Sequence, residues 1–125
     1  MQAALWPERI GEADFIVFTC ALTDVNYHML DADALNQTRH GVRIVNVARG
    51  PLIDEGALAE ALRSGRVHSV ALDVFEVEPL PAQSSLRNFD RNIFGSHNSS
   101  NTEDAVLRAS RRAIELLIGY LREFK

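Results

Sequence analysis

Hydrophobic residues along this chain gather into four short runs, each bounded by polar or glycine-bearing segments. They are Asp14–Cys20 (DFIVFTC), Val42–Val47 (VRIVNV), Val67–Val70 continuing through Ala71, Leu72 and Asp73, and Asn92–Gly95 (NIFG). Near-continuous apolar runs of this length read as parallel strands, and Asp14–Cys20 in particular as a strand covered on both faces. Between the runs the period changes. Residues Asp24–Leu35 read as short helical turns that carry Met29, Leu30 and Leu35 inward. Asp54 is placed to cap a helix whose Leu58, Ala61 and Leu62 share one face, and Gly65 suits its end. Pro79 and Pro81 stop regular structure, so Pro79–Arg91 reads as a loop on the rim of a pocket. Thr102 can cap a last helix with Val106, Leu107, Ile114, Leu117, Ile118 and Leu121 at helical spacing, a stripe expected to be core. Residues Met1–Gly11 form a lead-in, with Trp6-Pro7 as the remnant of a preceding element. Strand and helix alternate, which predicts an α/β fold with a parallel sheet.

Three polar residues stand just past three of the runs: Arg49, Glu78 and His97. In open α/β sheets ligands bind beyond the carboxyl ends of the strands, so residues in these positions can converge on one pocket. Their chemistry suits the movement of a hydride and a proton. A guanidinium is permanently charged and forks toward a carboxylate, an imidazole titrates near neutrality, and a carboxylate can fix the imidazole's tautomer.

The wording around these residues then matches a family. Asn46–Leu58 (NVARGPLIDEGAL), Ala71–Pro79 (ALDVFEVEP) and Gly95–His97 (GSH), in this order and spacing, resemble the nucleotide-binding domain of the NAD-dependent D-2-hydroxyacid dehydrogenases, the group that includes D-3-phosphoglycerate dehydrogenase. The likeness runs from about Ile10 almost to the C-terminus. It implies that Arg49 holds the substrate carboxylate and polarises its keto oxygen, that His97 is the acid/base, and that Glu78 is its partner. It also implies NAD as cofactor, with NADP not excluded, and contacts to it from Cys20, Ala21, Asn26, Val47, Ala48, Arg49, Asp73, His97, Ser99 and Ser100. Asp73 resembles the acid near the nicotinamide, and the loop after Cys20 resembles the family's His-x-Pro-Leu-Thr segment beside the nicotinamide ribose. The chain departs from the family's pattern at Ala21, where proline is usual, at Gly95-Ser96 before the histidine, and along the polar run Asn98–Asn101. The implied substrate is a small 2-hydroxy or 2-keto acid. The wording at Cys20 and after His97 leans toward the phosphoglycerate-dehydrogenase-like branch.

A complete dinucleotide-binding domain carries a Gly-x-Gly-x-x-Gly turn at a helix N-terminus and an acidic residue some twenty positions later. Neither occurs in these 125 residues. The expectation is a partial Rossmann-like parallel sheet flanked by helices, lacking the first half with the glycine-rich loop. Residues 1–125 would be a single partial NAD-binding domain, with 102–125 its closing helix. The first strand would then have an unpaired apolar edge, a pairing hazard that predicts a homodimer. Two functions follow: part of an NAD-linked oxidoreductase inactive alone, or a truncated non-enzymatic α/β module acting in binding or assembly.

Composition narrows the partners. A net charge of −4 and a pI near 5.5, without a basic cluster, argue against nucleic acid. No apolar run approaches the roughly twenty residues of a membrane span, and no signal-peptide core is present, so the expected location is cytoplasmic. One cysteine, Cys20, excludes an intrachain disulfide framework and metal-site spacing. His28, His40 and His68 follow no pattern and are expected to be exposed or at helix ends.

Overall fold

The apolar runs pair into one parallel sheet in a computed structural model that describes residues 4–123. Its strands are β1 (Phe15–Phe18), β2 (Val42–Asn46), β3 (Val67–Leu72) and β4 (Ile93–Phe94), in the spatial order β1-β2-β3-β4. The helices are α1 (Ala32–Gln37), α2 (Glu55–Arg63) and α3 (Glu103–Glu123). Ile16 is in register with Ile44, and Ile44 with Val70, so one row of β-branched side chains crosses three strands on a single face.

Local chemistry sets the helix boundaries. Asp31 accepts the Ala34 N–H at 2.8 Å and Asp54 the Ala57 N–H at 2.9 Å, each satisfying a backbone donor that the first turn leaves unpaired. Gly65, with a φ of +77°, follows α2 and lets the chain reverse into β3. The helical turns before β2 settle into α1 only from Ala32, and Leu30 and Leu35 are buried as expected. Within the loop between β3 and β4, Ser85–Asn88 forms a 3-10 turn.

The sheet is covered on one face only. Parallel strands joined in sequence by right-handed crossovers, with no reversal of order, bring every crossover helix to the same side. There α1 and α2 join Ile16, Phe18, Ile44, Val70 and Leu72 in one core, centred on the fully buried Leu30, Leu52, Ile53 and Leu58. The opposite face is open. Phe15 is 58% and Val17 54% exposed, which corrects the expectation that Asp14–Cys20 is a strand covered on both sides. The same run is also shorter than its apolar stretch, four residues from Phe15 to Phe18, and β1 lies at the edge of the sheet.

The last helix departs further from expectation. Thr102 caps it through its hydroxyl, which accepts the Ala105 N–H at 3.3 Å. Yet none of its residues is buried, and Val106, Leu107, Ile114, Leu117, Ile118 and Leu121 all stand exposed. The stripe is therefore not core, because nothing among the described residues lies against it. In the lead-in, the Trp6 indole donates to the Met29 carbonyl at 2.9 Å and its ring meets Phe18 edge-on, so this segment packs beside β1. The first three residues of the lead-in, and residues 124–125 of the expected closing helix, lie outside the described residues.

Candidate active site

Arg49, Glu78 and His97 all lie beyond the carboxyl ends of strands, after β2, β3 and β4 respectively. What aims them is a set of hydrogen bonds made by neighbours. Asn46, at the end of β2 and only 1% exposed, donates from Nδ2 to the Arg49 carbonyl at 2.9 Å and accepts the Ala48 N–H on Oδ1 at 3.0 Å. A buried amide satisfied at both ends fixes the turn that presents Arg49. Gly50 follows because a Cβ there would overlap the Phe75 carbonyl, so only glycine lets the turn after β2 meet the turn after β3. The two turns are also laced together. The Glu55 N–H donates to Glu76 at 2.8 Å, and the Glu76 N–H returns a bond to Glu55 at 2.7 Å. Burial raises the Glu55 pKa; the Glu76 backbone bond opposes this rise, and the Glu76 charge adds to it.

Glu78 reaches two donors. Its Oε1 accepts the Phe75 N–H at 3.0 Å, and its Oε2 lies 2.7 Å from His97 Nδ1. The hydrogen bond to His97 is the largest cause holding the Glu78 carboxyl below its ordinary pKa, helped by the Phe75 N–H and opposed by partial burial and the charge of Asp73. Because the side chains are 47% (His97) and 36% (Glu78) exposed, the pair itself stabilises the fold little. Its value lies in orientation. With Nδ1 bonded to the carboxylate, Nε2 is the nitrogen left for proton transfer.

Two cavities lie along this edge of the sheet. One, of about 490 Å³, is lined by Phe75, Glu78, Leu80, Arg87, Phe94 and His97. The other, of about 610 Å³, is lined by Thr19, Cys20, Ala21, Leu22, Val47, Ala48 and Arg49. The structure thus brings Glu78 and His97 into contact and collects Cys20, Ala21, Val47, Ala48 and Arg49 around a separate cavity. The strands that lead to Arg49 and His97, β2 and β4, flank β3 and so lie two strand spacings apart, about 10 Å. The guanidinium of Arg49 folds back to the Ala48 carbonyl at 2.6 Å. Asn26 turns into its own loop, accepting the Thr23 N–H at 2.7 Å and donating to the Ala21 carbonyl at 2.8 Å. Asp73 receives the N–H groups of Asn98 and Ser99 on its carboxylate. Ser99 and Ser100 are exposed in that same turn.

Residues with no expected role in the site support these positions: Asn46, Gly50, the Glu55–Glu76 lacing and His28. His28 is half-buried, with Nε2 3.3 Å from Glu76 and Nδ1 4.0 Å from Asp54, which corrects its expected placement on the surface or at a helix end. His68 is half-buried as well, its Nδ1 3.0 Å from the Ser69 hydroxyl. Asn46 opens the stretch NVARGPLID, so the available signal was an amide at the end of a strand whose other inward positions, Val42 and Ile44, are apolar.

Comparison with known proteins identifies relatives of this chain. Glyoxylate/hydroxypyruvate reductase B of Serratia proteamaculans (strain 568) is 38% identical over 112 residues, which are 90% of this chain and 34% of that protein. The chain therefore spans about a third of the length of such curated relatives. The TT0316 protein of Thermus thermophilus superposes with a TM-score of 0.82 at 32% identity, over 93% of this chain and 37% of that one. A D-isomer specific 2-hydroxyacid dehydrogenase from Xanthobacter autotrophicus Py2, solved with NADPH and MES, gives a TM-score of 0.68 at 38% identity, over 73% of this chain and 31% of that one. Among the described residues no helix is long and apolar enough to cross a membrane. Residues 2–99 match the profile of the D-isomer specific 2-hydroxyacid dehydrogenase NAD binding domain, and the chain belongs to that family.

Proposed function

We propose that this chain supplies the nicotinamide side and the acid/base of an oxidoreductase site that interconverts a small 2-keto acid and its 2-hydroxy acid. The observation that carries the reading is the Glu78–His97 bond at the carboxyl edge of a parallel sheet, in the wall of one cavity, with the turn that bears Arg49 lining a second cavity at the ends of β1 and β2. The cavity at the ends of β1 and β2 fits a flat ring: Ala21 and Ala48 leave room, while Leu22 and Val47 offer exposed apolar surface. Cys20, Ala21, Asn26, Val47 and Ala48 would form that wall, with Asp73, Ser99 and Ser100 on the β4 side. When bound, the nicotinamide supplies a hydride to the keto carbon or accepts one from the hydroxy carbon.

The residues do the rest. In reduction, His97 donates the proton on Nε2 to the keto oxygen as negative charge develops there, and in oxidation it takes the hydroxyl proton back. Glu78 holds Nδ1 of the imidazole and so fixes Nε2 as the nitrogen that faces the substrate. Arg49 swings from the Ala48 carbonyl to fork onto the substrate carboxylate, which fixes the reacting carbon. Relatives with a bound NADPH or a reductase name support the cofactor and substrate class; NAD is the assignment, and NADP remains compatible because these 125 residues hold no ribose-selecting acid. A pyrophosphate turn is likewise not among these residues and would be supplied by a longer or a separate chain. We further assign the chain to the cytoplasm, in keeping with its exposed free Cys20, and to a homodimer that covers the open edge and face of β1. A monodisperse monomer by light scattering at high concentration would remove the dimer.

The test of the function is reconstitution. The chain is mixed with the complementary N-terminal half of a relative, and NADH oxidation by glyoxylate or hydroxypyruvate is followed. Turnover that His97→Ala and Arg49→Ala each abolish supports the reading. Turnover that survives both changes removes the site assignment, and none in any mixture favours a binding or assembly module instead.

A further inference from the structure

His97 holds a backbone φ of +58°, in the left-handed region that side chains disfavour. Such a conformation persists only where its surroundings impose it, and here they converge on one residue. The His97 N–H donates to the Asp73 carbonyl at 2.7 Å. The next two N–H groups go to the Asp73 side chain, Asn98 to Oδ1 at 3.0 Å and Ser99 to Oδ2 at 2.9 Å. Asp73 therefore grips three successive backbone donors, one with its own carbonyl and two with the separate oxygens of its carboxylate. Gly95 makes room for this: a Cβ there would overlap Asp73 Oδ1. Partial burial works against the charged carboxylate, but the Ser99 side-chain and backbone bonds, the Asn98 N–H and the charge of His97 together hold Asp73 below the ordinary aspartate pKa.

We propose that Asp73 is the positioning residue of the acid/base: it builds the left-handed turn that aims the His97 imidazole at Glu78, and acts on the reaction through His97. The role follows from where the carboxylate's bonds go. Both oxygens are engaged with the turn, and among the described residues no other side chain accepts the Asn98 and Ser99 N–H groups. The proposal rests on reading His97 as the acid/base, but its test uses neither cofactor nor substrate, so hydride transfer can fail while this stands, and the reverse.

The experiment is nitrogen-15 NMR on the 125-residue chain in alkaline solution, where imidazoles are neutral. Ring shifts report which nitrogen carries the proton. The expected wild-type result is the Nδ1–H form at His97, imposed by Glu78, with slowly exchanging Asn98 and Ser99 amides. In Asp73→Asn one oxygen becomes an NH₂ that opposes a backbone donor. His97 is then expected to drift to the solvent-favoured Nε2–H form, and the two amides to exchange about tenfold faster or more. Glu78→Gln separates the effects, since it should change the His97 tautomer while leaving those amides protected. A measurement on the wild type covers the case in which Asp73→Asn does not fold. The Asn98 and Ser99 amide shifts should move together as acid is added, with one midpoint below the ordinary aspartate range. An Asp73→Asn protein that keeps both the Nδ1–H tautomer and the protected amides would overturn the proposal, as would wild-type amides that ignore the acid titration.

Discussion

The sheet body and the last helix of this molecule are built from similarly apolar sequence and end in opposite states. In the body, Leu30, Ile44 and Leu58 lie fully buried; along α3, Ile114, Leu117 and Leu121 are each more than half exposed. Apolar periodicity is present in both. What differs is a facing surface: α1 and α2 are delivered onto the sheet by the crossover connections, whereas among the described residues no element is packed over α3. Every group of the candidate site belongs to the body or to the turn that leaves β4. The candidate site and the buried core therefore sit together in the body, apart from α3.

The largest expected effects should fall on the body. Ile44→Ala is expected to cost about 2–5 kcal/mol, because it removes a fully buried side chain that spans the central strand. Urea denaturation would read it, and a loss near zero would mean that the body is not the cooperative unit. A smaller cost, about 1–3 kcal/mol, is expected for Asn46→Ala, which leaves the buried Ala48 N–H without its acceptor. That variant should also weaken NADH binding by releasing the turn that bears Arg49. Normal binding in a folded Asn46→Ala protein would show that the turn orders itself by other means.

Acid gives a third way to separate the regions. Asp73 and Glu78 both have folded-state pKa values below their ordinary ones. Their stabilising contribution is therefore complete above the unfolded carboxylate range, about pH 4, and is lost as pH falls through that range and then through the depressed values. The turn around His97 should loosen first in hydrogen exchange, while Leu58 and its neighbours stay protected. Loosening on the alkaline side instead would contradict the sign. Smallest of all, Leu117→Ala should change stability by no more than about 0.5 kcal/mol in dilute solution. A larger loss that grows with protein concentration would show that α3 is covered by a second copy.

The same contrast explains what could be read from residues alone. The runs at Val42, Val67 and Asn92, with Arg49, Glu78 and His97 placed just beyond them, announced the strand ends because apolar run, turn and polar residue follow one another in the chain. Caps at Asp54 and Thr102 were legible for the same local reason. One-sided burial of β1 was not, since DFIVF is apolar at alternate positions of both parities and carries no record of which face is covered. Nor could the stripe of α3 say what, if anything, lies against it. The placements of Asn46 and His28 were not legible because they depend on partners brought near only by folding, the Ala48–Arg49 turn for one and Glu76 with Asp54 for the other. The grip of Asp73 on the His97 turn, across 24 to 26 positions, has no local signature at all.

The most direct measurement is an NADH titration of the labelled chain followed through its backbone amides. Saturable shifts at Cys20, Ala21, Val47, Ala48 and Arg49, extending to Asp73 and His97 and absent from α3, are the predicted result. Shifts confined to α3, or none that saturate, would contradict the claim that the body carries a nicotinamide site.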